Sequence, residues 1–145
     1  MRLYPQNLEV ALGQLLKFPA ATLNAVRAFA ASKPWRGSFE ERQSKFRQLH
    51  ADFCRIYGVN PTLQIEGNGT GDSGASSYCP IKNTITLVGR LSVITFLHEW
   101  GHVLNGADEF AACRWSLRLF QRCFSKSFNR LRWEGHVGKR GSAAT

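Results

Sequence analysis

The residues with the clearest chemical potential lie together at positions 98–102, which read His-Glu-Trp-Gly-His. Residues four apart lie on one face of an α-helix, so His98 and His102 can present imidazole nitrogens to one metal ion. Glu99, next to the first histidine, can reach a water bound to that metal and remove its proton. The spacing therefore predicts a catalytic Zn²⁺ site with Glu99 as general base. The competing interpretation is a partly buried histidine pair that is satisfied by local hydrogen bonds.

A catalytic zinc ion needs a third protein ligand if one position is to stay open for water. Glu109 opens the next predicted helix, and from an antiparallel neighbouring helix its carboxylate can reach back to the metal. Asp108 is an alternative, because it takes the last position of an H-E-x-x-H-x-x-G-x-x-H/D pattern, although Asn105 stands at the glycine position. A plain helix N-cap role suits Asp108 as well. His50 and His136 are further candidates, and we expect Glu109.

The hydrophobic period indicates the elements that position these residues. Ser92 is the predicted N-cap of the helix that carries the motif, and Asn105-Gly106 ends it. Residues 62–66 and 83–88 alternate as strands with one buried face, and residues 78–80 are a further short strand. The glycine-rich residues 66–77 fit a long hairpin loop, which is either a mobile flap over a cleft or a tolerated surface loop.

The N-terminal third of the chain is predicted to be helical. Residues 7–31 have a helical period that is interrupted at Pro19, which indicates one broken helix or two short ones. Ser38 and Glu41 have the spacing of a capping box for a helix over residues 39–57, and Gly58 follows it as a C-terminal stop.

These elements predict a single α+β domain with three parts. The N-terminal helices occupy residues 1–58, the core that carries the motif occupies residues 59–124, and a basic segment with a frayed end occupies residues 125–145.

The core resembles a known family. The strand at 83–87, the helix with His-Glu-Trp-Gly-His and the helix beginning Glu-Phe-Ala-Ala-Cys-Arg-Trp are similar to the short gluzincin-type zinc peptidases, in particular the ImmA/IrrE-like group. That group has an I-x-L strand, then H-E-x-G-H, then E-x-x-A-x-x-F. The resemblance covers about residues 59–124, and it departs from the group in the short connection, since only six residues separate His102 from Glu109.

The resemblance implies a zincin-like fold, in which helices pack on a small and mostly antiparallel sheet. It implies a zinc-dependent metallopeptidase with His98, His102 and Glu109 as metal ligands. It also implies that an extended peptide substrate adds to an exposed edge strand, here residues 83–88. Tyr78 is a candidate for stabilising an oxyanion, although an aromatic residue at the start of a strand is also an ordinary packing residue.

The net charge of +9 comes from 19 basic and 10 acidic residues and is concentrated near the C-terminus. Residues 1–109 carry eleven basic and nine acidic residues, whereas residues 110–145 carry eight basic residues and one acidic residue. Four cations recur at four-residue spacing and predict a basic stripe along one helix face: Arg114, Arg118, Arg122 and Lys126. Such a stripe is either a solvated surface or a binding surface for nucleic acid. The alternative function is therefore a zinc-containing or nucleic-acid-binding regulatory protein without protease turnover.

Composition narrows the class of protein further. The hydrophobic fraction of 43% is typical of a globular core and excludes an intrinsically disordered chain. Residues 1–18 lack the clean apolar run of a secretory signal, and no stretch is long enough to span a membrane. The four cysteines form no C-x-x-C pair and are expected to be small buried side chains in a reducing compartment. We therefore expect a cytoplasmic protein.

Overall fold

The computed structural model describes residues 16–67, 76–134 and 137–140, and it describes side chains up to residue 130. Within these ranges the chain is an α+β protein, as predicted. It contains five helices: α1 (Ala20–Ala31), α2 (Phe39–Tyr57), α3 (Val93–Asn105), α4 (Glu109–Cys123) and α5 (Ser125–Asn129). Its strands are β1 (Thr62–Glu66), β2 (Ser77–Cys79), β3 (Thr84–Val88), β4 (Leu131–Glu134) and β5 (Val137–Arg140).

The helix ends follow local sequence signals. The predicted capping box of α2 is present, since the Ser38 hydroxyl accepts from the Glu41 N–H and the Glu41 carboxylate accepts from the Ser38 N–H. Gly58 ends α2 in the left-handed conformation, at φ 65°, which glycine adopts at little cost. Helix α1 begins directly after Pro19. The helix expected over residues 7–15 lies outside the described residues.

The main sheet has three strands in the order β1-β3-β2. Strand β3 pairs in parallel with β1, so that Leu63 lies opposite Ile85, and it pairs antiparallel with β2, so that Tyr78 lies opposite Ile85. The turn that joins β2 to β3 closes at Asn83, which has a positive φ of 47°, a conformation that asparagine tolerates better than most residues.

Three predictions about this sheet are wrong. The strands at 62–66 and 77–79 do not form a hairpin, because β3 lies between them. The sheet is mixed rather than mostly antiparallel, since its longer pairing is parallel. Residues 83–88 do not form an edge strand, because β3 is paired on both sides and its main chain is not available to a substrate strand. The predicted loop tip, residues 68–75, lies outside the described residues.

The core lies between the sheet and helices α1 to α4. Strand β3 turns Ile85 and Leu87 inward, and the helices contribute mostly aromatic side chains. The rings pack edge to face, as aromatic pairs prefer, with Phe46 against Phe96 at 5.3 Å and Phe53 against Trp100 at 5.1 Å between ring centroids. The partly and fully buried members from α1 and α4 are Leu23, Val26, Phe29, Trp115, Leu119 and Phe120.

One polar contact ties α2 to α3 inside this core. The indole N–H of Trp100 donates to Nδ1 of His50 at 3.2 Å, and Nε2 of His50 lies 2.7 Å from the carbonyl oxygen of Pro61. An indole N–H can only donate and a carbonyl can only accept, so these partners fix the neutral tautomer of His50 with its proton on Nε2. His50 is thus a structural residue of the core, and it takes no part in the metal-ligand group.

The basic segment after α4 contains regular elements that the sequence analysis did not predict. Helix α4 ends at Cys123, because Phe124 has a non-helical backbone with φ −130° and ψ 50°. The short helix α5 follows, and β4 and β5 then pair antiparallel in a separate two-stranded sheet. Residues 141–145, where fraying is expected, lie outside the described residues.

In the described part of the chain, no helix has both the length and the apolar character needed to cross a membrane. All four cysteines are free thiols, of which Cys113 is buried and the other three are half-buried.

The His50 contact predicts a pH dependence of stability. Burial lowers the pKa of His50 below its usual 6.5, so the unfolded chain binds the proton more readily than the folded chain. The free energy of unfolding should therefore fall as the pH drops below about 6.5. In His50→Gln, whose amide can still accept from Trp100 and donate to Pro61 without titrating, chemical denaturation between pH 8 and 5 should show a smaller fall. An equal fall in both proteins would contradict this role of His50.

Candidate metal centre

Helix α3 positions the motif at the centre of the molecule. The Ser92 side chain caps the helix by accepting from the Thr95 N–H, as predicted. Every residue from Thr95 to Gly101 is buried, so the middle of α3 is enclosed on all sides. Two titratable side chains, His98 and Glu99, are therefore among the least exposed residues, at 5% and 7%. Burying such groups is costly unless they are paired or coordinate a metal.

Helix α4 brings Glu109 to both histidines of the motif. Nε2 of His98 lies 2.9 Å from one carboxylate oxygen of Glu109, and Nε2 of His102 lies 3.0 Å from the other. The rings of His98 and His102 are nearly perpendicular, with centroids 4.8 Å apart. The three side chains that the sequence analysis preferred as ligands thus meet at one point.

Gly101 makes this meeting of two helices possible. A Cβ atom at Gly101 would lie only 2.7 Å from the carbonyl oxygen and 2.9 Å from the Cα of Ala112 on α4. The main chains of α3 and α4 therefore touch directly beside His102 and about one turn from His98. Only residues 106–108 connect α3 to α4, so α4 begins close to the end of α3. The first turn of α4 therefore lies against the face of α3 that carries His98 and His102.

His102 is held in the tautomer that a metal ligand needs. Its Nδ1 lies 2.8 Å from the carbonyl oxygen of Gly106, so Nδ1 carries the proton and Nε2 is left free to bind. Gly106 ends α3 with a positive φ of 74°, a conformation that turns this carbonyl back toward the helix and is disfavoured for residues with a side chain.

Two other candidates for the third ligand, Asp108 and His50, have different roles in the structure. The Asp108 carboxylate accepts from the Ala111 N–H at 3.1 Å and is the N-cap of α4, which is the role that the sequence analysis gave as its alternative. His50 is occupied by Trp100 and Pro61 in the core. His136 lies outside the described residues.

Burial sets the protonation of the two titratable residues inside α3. It lowers the pKa of His98 to about 4, and the neighbouring Glu109 carboxylate offsets only part of that effect. His98 is therefore neutral near pH 7, which is the form that binds metals. Burial likewise raises the pKa of Glu99 to about 7, while the nearby His102 and a hydrogen bond from the main chain of Tyr78 act in the opposite direction. A carboxyl group with a pKa near neutral is suited to accept and return protons.

A cleft of about 470 Å³ opens onto these residues. One wall is β2 with its flanking residues, and the opposite wall is the connection from α3 to α4. The lining consists of Ser76, Ser77, Tyr78, Pro80, Thr95, His98, Glu99, His102, Gly106, Ala107 and Glu109.

Tyr78 contacts the site through its main chain. Its backbone N–H binds the Glu99 carboxylate, whereas its hydroxyl donates to the side chain of Asn83 at 2.8 Å. The predicted role of the Tyr78 hydroxyl as an oxyanion stabiliser stays a prediction, and it requires that the hydroxyl leave Asn83.

The donor set fits a zinc ion. Two imidazole nitrogens and one carboxylate are a common ligand set of catalytic zinc, which keeps a further position for water. The ligand atoms of His98, His102 and Glu109 all lie within 4.8 Å of one another. Donors that share a zinc ion in tetrahedral geometry are about 3.4 Å apart. The Glu109 side chain is 58% exposed, so packing does not hold its carboxylate rigidly.

The basic residues of α4 do not form one continuous stripe. The helix ends before Lys126, which lies on α5, so the predicted extent of the stripe is wrong. Arg114 is half-buried with its guanidinium 5.9 Å from the Phe110 ring centroid, and Arg118 is half-buried and donates to Gln121. Arg122 and Lys126 are exposed. Binding of nucleic acid to this surface stays a prediction.

Cys113 is a neighbour of the site that the sequence analysis missed. Its Sγ lies 3.8 Å from Nδ1 of His98 and 3.6 Å from a carboxylate oxygen of Glu109. Burial, with the nearby Glu109 carboxylate, raises the pKa of the thiol to about 12, so it stays protonated. A signal was present in the sequence, since Cys113 follows Glu109 by four residues and thus shares its helix face.

Comparison of the chain with protein-family models, with curated proteins and with solved structures gives no match. The resemblance to the ImmA/IrrE-like group therefore stays a prediction from the sequence. The chemistry of the site must be inferred from its own residues and geometry.

The close contact at Gly101 predicts that an alanine at this helix position destabilises the protein, which is the opposite of the usual effect. Gly→Ala inside a helix ordinarily stabilises by about 1 kcal/mol. Gly101→Ala should instead lower the free energy of unfolding by about 1–3 kcal/mol, because the added methyl overlaps the main chain of α4. Chemical denaturation measures the difference. Ala112→Gly in the same chain should not restore stability, since the overlap involves the backbone of residue 112, and a stabilised Gly101→Ala protein would contradict the close contact.

Proposed function

We propose that this protein is a zinc-dependent metallopeptidase of the zincin type. The observation that carries the proposal is the meeting of His98, His102 and Glu109 at one point, with the buried Glu99 beside them and a cleft leading in. A structural histidine pair would need neither a third ligand from another helix nor an open approach. The preserved spacing of the motif on one helix supports the same interpretation.

His98, His102 and Glu109 would hold the metal through two imidazole nitrogens and one carboxylate. When bound at such ligands, zinc polarises a carbonyl group and lowers the pKa of water. The chain prepares these ligands in advance, because burial keeps His98 neutral and the Gly106 carbonyl orients His102. Pre-ordered ligands reduce the entropy that binding must overcome.

Glu99 is proposed as the general base of peptide-bond hydrolysis. Its carboxylate takes a proton from the attacking water and later delivers that proton to the leaving amine nitrogen, so the acid and amine products balance the peptide and water consumed. Its buried position beside the three proposed ligands suits both transfers. The Tyr78 N–H holds the carboxylate in place between α3 and the cleft.

Strand β2 is the proposed guide for the substrate. Among the described strands it lies at one edge of the three-stranded sheet, beside the cleft. An extended peptide can add to such an edge through main-chain hydrogen bonds. The proposal thus keeps the peptide partner that the sequence analysis expected and transfers its binding from residues 83–88 to residues 77–79.

The ligand set predicts which substitutions remove zinc. Purified protein should contain one zinc ion per chain by elemental analysis, and His98→Ala should lose it. Glu109→Gln should weaken zinc binding by more than about 100-fold, since loss of a direct ligand exceeds the 10–100-fold cost of losing an outer partner. Competition with a chelating indicator measures the affinity.

Asp108→Asn is the matched control for Glu109→Gln. Asparagine is as good an N-cap as aspartate, so this variant removes the neighbouring carboxylate while leaving α4 intact, and its zinc affinity should equal that of the wild type. Equal losses in both variants would contradict Glu109 as the third ligand. Wild-type protein without stoichiometric zinc would overturn the metal centre itself.

Glu99→Gln should separate metal binding from catalysis. The variant keeps the size of the side chain and all three proposed ligands, so its zinc content should match the wild type. It should lose cleavage of a proteome-derived peptide library, scored by mass spectrometry of new peptide ends, because the amide cannot accept the proton of water. Normal cleavage by Glu99→Gln would contradict the assigned base, and zinc binding without cleavage by wild type would favour the regulatory alternative.

A further inference from the structure

We propose that Cys113 is a positioning residue for the metal centre, whose thiol orients His98 and Glu109 at the same time. The inference rests on the proposed function, because it concerns the residues that would hold the metal. It adds a role that neither the motif nor the ligand set assigns.

The thiol lies between two ligand side chains. Its Sγ is 3.8 Å from Nδ1 of His98 and 3.6 Å from Oε1 of Glu109, distances at which a large sulfur atom forms weak hydrogen bonds. Cys113 is only 6% exposed, so water does not compete freely for these contacts. The same carboxylate oxygen lies 2.9 Å from Nε2 of His98, and the three groups therefore form one closed contact.

With a metal on Nε2 of His98, the donors and acceptors of this contact have one consistent arrangement. His98 can offer Nε2 to a metal only if its proton is on Nδ1, and the sulfur of Cys113 is the acceptor beside that nitrogen. The thiol proton can then be donated to Oε1 of Glu109. One thiol thus accepts from the first ligand and donates to the third.

The second histidine shows the same principle with a different partner. His102 is oriented at Nδ1 by the carbonyl of Gly106, whereas the neighbour that the described residues place at Nδ1 of His98 is the sulfur of Cys113. Cys113 supplies that acceptor from α4. Its position relative to His98 is set by the adjacent contact of Ala112 with Gly101, so helix packing fixes the sulfur where the imidazole needs it.

The test compares cysteine variants by metal binding. Cys113→Ala should weaken zinc affinity by about tenfold or more, and it should shift the visible absorption bands of the Co²⁺-substituted protein, which report ligand geometry. Cys113→Ser, which keeps a donor and an acceptor, should retain more affinity than Cys113→Ala. Cys123→Ala is the matched control on the same helix, and its zinc affinity and cobalt spectrum should equal those of the wild type.

The outcomes separate the inference from the proposed function. Wild type that binds no zinc overturns both. Wild type that binds zinc, with Cys113→Ala showing the same affinity and the same cobalt spectrum, overturns the inference alone. Equal loss of affinity in Cys113→Ala and Cys113→Ser, together with equal loss of thermal stability in the metal-free proteins, also overturns it, because the cysteine would then act only by packing.

Discussion

The contact between the main chains of α3 and α4 at Gly101 and Ala112 is the constraint on which the site depends. Helices ordinarily pack with their axes 8–10 Å apart because side chains separate them, and a Cβ atom at Gly101 would not fit. Only at this close approach can Glu109, in the first turn of α4, reach both histidines one turn along α3. The glycine inside H-E-x-x-H is thus required by packing, and the meeting of the three proposed ligands follows from it.

Enclosing α3 has an energetic consequence for its polar residues. His98 and Glu99 are buried where a charged form is disfavoured, so burial shifts their pKa values in opposite directions and both can be neutral near pH 7. A divalent cation at the three ligands would reverse the effect on Glu99, since a nearby positive charge favours the carboxylate. Burial of His98 and Glu99 therefore costs stability in the metal-free chain. In the proposed metal-bound form, the same burial would keep His98 in its neutral, metal-binding form and make the proton affinity of Glu99 sensitive to the metal charge.

Local features of this structure could be predicted from the sequence, and non-local ones could not. The caps at Ser38, Ser92 and Asp108 depend on neighbours three residues away, and all three are observed. The ligand pair follows from the helical repeat. The order of the strands depends on which segments meet in space, and alternation alone cannot show whether β1 and β2 pair directly as a hairpin or are separated by β3. The end of α4 at Phe124 is likewise not marked by glycine or proline.

The corrected strand order also explains how the base is held. With β2 at one edge of the three-stranded sheet, the Tyr78 N–H points away from β3 and binds the Glu99 carboxylate. In an antiparallel pair, the N–H and C=O of such a residue both point outward. The Tyr78 carbonyl is then directed to the same side as Glu99, where it can accept from the main chain of an extended peptide. The proposed general base and the proposed guide strand would thereby be joined through a single residue.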